Sequence, residues 1–334
     1  MVKVPLSYPI GTKGSPWGQP ERSEWRSTRK IHRSYHQDVV MPLKSFCDSS
    51  SDFQLVQYGS IANNINQSNS KKLPLYAAIP KDIHNNLPSV LITGGTHGYE
   101  TSGVIGALSF LSTKARRYIS KYNIIVIPCI CPWGYEHIER WVSSALDPNR
   151  SFRRDDIDIE EWRTEEASQL MHFLDELTTK DGGAMEWVCH LDLHETTQSD
   201  CTEFRPAKTA RDGLVEYDDH VPDGFYLVGD SSASHRDDQL NWYNYVLQRV
   251  EKVTHIAELE SGNTLSGYPA TSRGLVLVPA KELGLCGGGC VDARYVLTTE
   301  VYPDSERSSE EDCVNAQVEA VCAAVDYLVE RNDT

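Results

Sequence analysis

The segment Thr93-Gly94-Gly95-Thr96-His97-Gly98-Tyr99-Glu100-Thr101 sets a histidine and a glutamate three positions apart, directly after the short apolar run Ser89 to Thr93. A neutral imidazole and a carboxylate on one turn entering a helix can converge on a single ion, and that donor pair suits zinc. H-x-x-E alone is common by chance. A second histidine, His194, closes the run Leu191-Asp192-Leu193-His194 at the end of another apolar stretch. Two nitrogens and one carboxylate leave a fourth zinc position open for water, as in catalytic rather than structural sites.

Between these two motifs stands Asp147-Pro148-Asn149-Arg150-Ser151-Phe152. An arginine after a turn-forming D-P-N is a good anchor for a carboxylate, because its planar fork makes paired, charge-assisted hydrogen bonds. Asp147 is placed to accept a hydrogen bond from the far side of a ligating imidazole. Further on, Tyr295-Val-Leu-Thr-Thr-Glu300-Val-Tyr-Pro303 carries an acid inside a strand-forming run. Such a group is costly unless it is solvated or paired. Beside a metal it can act as the general base and pass its proton on to a leaving amine.

The elements that must position these residues follow from the pattern. Ser89–Thr93, Asn123–Pro128 and Trp187–Leu193 are β-branched apolar runs of strand length, suited to burial on both faces. Thr101–Tyr122 and Glu160–Thr178 have helical spacing between them. The alternation implies an α/β sheet with parallel pairs and right-handed crossovers. His97 and His194 then stand at the carboxyl ends of strands, where open α/β sheets bind ligands. Phe53–Ile61 and Leu73–Ile79, joined by the polar stretch Asn63–Lys72, read as a hairpin at the sheet edge. A helix is expected around Tyr35–Phe46, a last strand at Arg294–Val301 and a final helix at Ser309–Glu330. Residues 1–50 read as an N-terminal arm packed on one catalytic domain, 51–334.

In this order, HGYE, DPNRSF, DLH and TTEVYP resemble the zinc carboxypeptidase superfamily of the carboxypeptidase A type. The wording GGTHGYE and DLHETT resembles its deacylase branch, aspartoacylase and succinylglutamate desuccinylase. The resemblance covers roughly residues 88–303. It implies a three-layer α/β/α fold around a mixed eight-stranded sheet, with one zinc per chain and no organic cofactor. His97, Glu100 and His194 match the metal ligands, Asn149 and Arg150 the pair that binds a free substrate carboxylate, and Asp147 the acid behind a ligand. Glu300 matches the general acid/base, and Arg140 the arginine that polarises the scissile carbonyl. Tyr268, in SGYPATSRG, is the candidate for a mobile tyrosine that covers substrate. Two departures bear on side-chain preference: Pro148 replaces an aliphatic residue, and the interval from Glu100 to Arg150 is short beside the digestive carboxypeptidases. The expected substrate is a peptide losing its C-terminal residue or, alternatively, an N-acyl amino acid; Arg205 and Lys208 are candidates to meet an acidic group.

Composition narrows the classes. With 334 residues, 40% hydrophobic and 24% charged, the chain is an ordinary globular one. A net charge of −16 with scattered basic residues argues against nucleic acid. No apolar run approaches the roughly 20 residues of a membrane span, and residues 1–18 hold no signal-peptide core, so a cytoplasmic protein is expected. Nine cysteines without a secretory signal argue against a disulfide framework. Cys286 and Cys290 bracket three glycines, which reads as a glycine-rich loop with reduced thiols.

Overall fold

A computed structural model of the protein describes residues 3–62, 72–154, 163–179, 185–218, 220–232 and 236–331. Residues 63–71 of the polar stretch expected between the first two main strands, and residues 160–162 of the expected second helix, lie outside them. The strands are β1 (Lys3–Pro5), β2 (Phe53–Ala62), β3 (Lys72–Pro80), β4 (Ser89–Gly94), β5 (Asn123–Ile127) and β6 (Trp187–Glu195). They continue with β7 (Glu216–Asp218), β8 (Tyr226–Asp230), β9 (Thr264–Leu265), β10 (Tyr268–Ser272), β11 (Leu275–Val278) and β12 (Tyr295–Val301).

Ten of these form one mixed sheet in the order β2-β3-β5-β4-β6-β12-β8-β11-β10-β9, while β1 pairs only with β7. The three apolar runs, β5, β4 and β6, are parallel neighbours at its centre. Every residue of these three strands is buried, as continuous apolar runs require when both faces are covered. The predicted hairpin is present as antiparallel β2 and β3. The run from β2 to β11 comprises eight strands; β10 and β9 add two more, antiparallel, at the far edge.

Helices Thr101–Thr113, Arg236–Val250 and Glu310–Glu330 cover one face of the sheet around a core that includes Leu191, Leu193, Leu297 and Val301. The helix Glu165–Thr179 covers the other face, over Leu91, Ile125 and Ile127. The helix expected over 101–122 ends early, at Thr113, and continues as a 3-10 turn, Ala115–Arg117. The apolar spacing runs on because Ala115, Tyr118 and Tyr122 remain buried in the same core. Ahead of β2, Trp25 of the helix Gln19–Thr28 packs on Trp133 and Trp141 at 5.9 and 5.4 Å between ring centroids. No helix among the described residues is long and apolar enough to cross a membrane.

Candidate active site

Strand alternation builds the first half of the site. In β6, Leu191 and Leu193 enter the helix-covered core, so Asp192 and His194 face the opposite side. They touch: His194 Nε2 lies 2.6 Å from Asp192 Oδ2. The other oxygen of Asp192 accepts from Thr93 Oγ1 at 2.7 Å and Thr96 Oγ1 at 2.9 Å, which ties β6 to the end of β4. Burial works against the charge of Asp192, but His194 and these hydrogen bonds hold its carboxyl down at about 2.

The loop after β4 supplies the second half. It passes so close to the turn at residues 134–135 that a Cβ on Gly98 would sit 2.0 Å from backbone atoms of Gly134 and Tyr135, so only glycine fits. This packing turns His97 and Glu100 inward. His97 Nδ1 meets Glu100 Oε1 at 2.7 Å, and His194 Nδ1 lies 2.8 Å from Glu100 Oε2. The three donor atoms fall within 4.8 Å of one another. Both imidazoles present Nδ1 to the cluster and turn Nε2 to a carboxylate, His97 to Asp147 Oδ1 at 3.0 Å and His194 to Asp192. That is how metal-binding histidines are oriented and their tautomer fixed.

A cation fits this cluster. Glu100 Oε2 and His194 Nδ1 are buried and face each other at 2.8 Å without hydrogen-bond geometry or any other partner, an arrangement of two polar atoms that a metal ion between them would satisfy. Burial opposes charge on Glu100, but His194 and His97 hold its carboxyl at about 2, so it is a ready anionic ligand. Nitrogen, nitrogen and carboxylate oxygen are zinc's donors.

Glu195, next to His194, accepts from Ser102 N at 2.5 Å and so joins the end of β6 to the helix that follows Glu100. Burial pushes its carboxyl up to about 7. Glu300 lies one strand over, in β12, as the register partner of His194. It is half-buried and accepts from Thr196 Oγ1 at 2.9 Å, and Thr196 in turn meets the Tyr226 hydroxyl at 2.8 Å. Desolvation is the main cause that raises the Glu300 carboxyl to about 7, against the lowering effect of His194.

The remaining predicted residues ring one cavity of about 250 Å³ that contains His97, Asp147, Asn149, Arg150, Arg140, Tyr268 and Glu300. Asp147 caps the short 3-10 turn Pro148–Arg150 by accepting from Asn149 N at 2.9 Å, while its carboxylate also takes His97 and Arg140. Burial would raise its pKa, but Arg140 and His97 hold it well below the usual range. Arg140 is shared: its Nε donates to Asp147 at 3.2 Å and one terminal nitrogen to Asp200 at 3.3 Å and the Tyr99 hydroxyl at 3.4 Å. Tyr268, in the added strand β10, stands exposed at the rim. Arg205 and Lys208 line the same cavity; Lys208 pairs with Asp212 at 3.0 Å and Arg205 donates to the His220 carbonyl at 2.5 Å.

The CGGGC loop has a packing role here. Asn149 Oδ1 accepts from Cys286 N at 2.7 Å. A Cβ on Gly289 would lie 1.9 Å from the Phe152 carbonyl oxygen, so the loop closes against the D-P-N-R segment and fixes it. Cys286 and Cys290 are buried free thiols.

Sequence reading missed Asp192, Glu195, Thr196, Asp200 and Tyr99. Only Asp192 carried a signal, its two-residue spacing from His194 on one strand face.

Comparison with known proteins agrees with this geometry. Residues 86–216 match the succinylglutamate desuccinylase/aspartoacylase catalytic domain. The matched segment carries His97, Glu100 and His194. Solved metallopeptidase and carboxypeptidase structures share the fold seen here. A candidate metallopeptidase from Shewanella amazonensis superposes with a TM-score of 0.60 at 18% identity, over 90% of this chain and 99% of that one. A metallo-carboxypeptidase from Burkholderia cenocepacia gives 0.56 at 12%, over 95% and 70%. Bovine thrombin-activatable fibrinolysis inhibitor, in complex with a tick carboxypeptidase inhibitor, gives 0.55 at 11%, over 90% and 98%. No curated protein matches the chain.

Proposed function

We propose that the protein is a zinc-dependent exopeptidase that removes an apolar C-terminal residue from a short peptide. The observation that carries this reading is the composition of the cavity beside the carboxylate anchor. Arg150 and Asn149 line it together with five aliphatic residues, Val228, Val276, Val278, Leu283 and Leu285. Phe152 N donates to the Gly284 carbonyl at 3.0 Å, so Leu283 and Leu285 flank the residue that follows the D-P-N-R turn directly. With the terminal carboxylate on Arg150, the terminal side chain meets those aliphatic residues, where burial of each methylene contributes about 0.8 kcal/mol. A space of about 250 Å³ holds one residue and its scissile bond rather than a long chain.

His97, Glu100 and His194 would hold the zinc, with Asp147 and Asp192 fixing the two imidazoles. Bound zinc supplies the positive charge that makes water a nucleophile at neutral pH and stabilises negative charge on oxygen. The chain's own groups do the rest. Arg150 and Asn149 bind and orient the free carboxylate, which gives exo-selectivity through position. Glu300 accepts the proton of the attacking water at its carboxylate and returns it to the leaving amine. Arg140 donates toward the scissile carbonyl as charge develops there. Tyr268 closes over the rim.

A second reading is an N-acyl amino acid deacylase, favoured by the desuccinylase/aspartoacylase match and by Arg205 and Lys208 in the same cavity. Those two cations already have partners in Asp212 and His220, which weakens their pull on a small acid. The test is metal content by mass spectrometry, joined to hydrolysis of a library of short peptides and N-acyl amino acids. One zinc per chain and preferential release of aliphatic or aromatic terminal residues supports the peptidase. Consumption of acyl amino acids alone selects the deacylase, and a chain that binds no zinc overturns both.

A further inference from the structure

Arg33, far from the metal ligands in sequence, grips the loop that carries two of them. One of its terminal nitrogens donates to Thr101 Oγ1 at 2.7 Å and the other to the Gly98 carbonyl, while Nε donates to the Tyr135 carbonyl at 2.7 Å. Its guanidinium carbon lies over the Tyr135 ring, 3.7 Å from the centroid. Gly98 follows His97 and Thr101 follows Glu100, so one planar fork spans the segment bearing both ligands. The same fork ties that segment to the turn against which Gly98 is wedged. The arm reaches this position independently: Trp25 packs on Trp133 and Trp141, and His32 N donates to the Glu136 carbonyl at 2.8 Å.

We infer that Arg33 is a positioning residue for the metal centre, supplied by the N-terminal segment. It fixes the backbone on either side of His97 and Glu100 so that their donor atoms converge with His194. This rests on the zinc reading above. Glu195, on Ser102 N, holds the same segment from the sheet side. A lysine cannot replace Arg33, because one ammonium cannot reach three acceptors in a plane and stack on a ring.

The test measures zinc dissociation constants by competition with a chromophoric chelator, together with the melting temperature of the metal-free protein, for wild type, Arg33→Ala, Arg33→Lys and Trp25→Ala. Residues that orient metal ligands typically contribute 10–100-fold in metal affinity. Arg33→Ala is expected to weaken zinc by about that factor, with Arg33→Lys close behind. Trp25→Ala, which loosens the arm elsewhere, should lower the melting temperature with a smaller loss of zinc. Unchanged zinc affinity in Arg33→Ala overturns the inference. So does an equal loss in Trp25→Ala at equal thermal cost, which would mean that any disturbance of the arm has the same effect. A wild type that binds no zinc removes the metal reading itself, a result distinct from either.

Discussion

Glu300 and His194 are register partners on adjacent parallel strands, β12 and β6, so the acid and a histidine of the candidate metal cluster stand side by side on one face of the sheet. Parallel pairing fixes that relation in the backbone, with no loop needed to bring the two together. Glu300→Gln keeps the shape and the Thr196 contact but cannot take a proton. Zinc content should stay at one per chain while kcat falls by about 10²–10⁴-fold, the usual contribution of a positioned general base. Metal analysis beside steady-state kinetics checks this, and a variant that cleaves at the wild-type rate removes Glu300 from the mechanism.

The same residue sets a pH dependence. Only deprotonated Glu300 can accept a proton, so activity rises with pH through its pKa. Desolvation places that pKa at about 7 in the metal-free protein, and a cation beside it pulls the value lower. The kcat/KM profile should therefore show an acidic limb with an apparent pKa at or below about 7, absent from the residual activity of Glu300→Gln. An acidic limb that persists unchanged in Glu300→Gln would contradict the assignment.

Much of this was legible in the sequence because strand periodicity and strand ends are local properties. The runs that became β4, β5 and β6 are apolar on both faces, so their burial and parallel pairing followed from composition. His97 follows one of those runs and His194 stands near the end of another, and Glu300 interrupts a further strand. What stayed hidden depends on contacts between distant segments. Arg33 and Gly98 are 65 positions apart, and nothing in an arginine-rich arm marks which arginine turns inward. Thr196 and Asp200 look like ordinary loop residues until Glu300 and Arg140 meet them. The β9–β10 hairpin was missed because its residues, rich in Thr, Ser, Gly and Pro, lack an apolar run.

Arg150 is assigned to the substrate carboxylate because it lies in the cavity on the D-P-N-R turn that Asp147 caps and the Cys286 loop braces. A charge-assisted pair of this kind contributes about 1.5–3 kcal/mol. Arg150→Ala should thus lower kcat/KM by roughly 10–100-fold for substrates with a free carboxylate. For the same peptides amidated at the C-terminus, wild type and variant should differ little. Equal losses on both substrate forms would show that Arg150 only supports the fold.

Asp192 accepts from two threonines and holds His194 Nε2 at 2.6 Å. Asp192→Asn keeps one acceptor for the threonines but can present an amide N–H to the imidazole, favouring the wrong tautomer. Zinc affinity should fall by about 10–100-fold, with the remaining fold intact by circular dichroism. A chelator-competition measurement decides it; a dissociation constant equal to wild type would mean that His194 is oriented by its packing alone.

Glu166 offers a stability test outside the site. It is 4% exposed on the helix Glu165–Thr179, and burial pushes its carboxyl from 4.5 up to about 7. Between those two values the native state holds a proton that the unfolded chain has released, so stability falls as pH rises through the window. Below pH 4.5 both states are protonated and the penalty vanishes; above about pH 7 it is complete. One pKa unit corresponds to about 1.4 kcal/mol, so Glu166→Gln should stabilise the protein at pH 8 by roughly 3–4 kcal/mol. At pH 4 the same substitution should change little. Denaturant unfolding of both proteins at the two pH values measures the difference, and an equal effect at pH 4 and pH 8 would show that the Glu166 carboxyl ionises as freely in the native protein as in the unfolded chain.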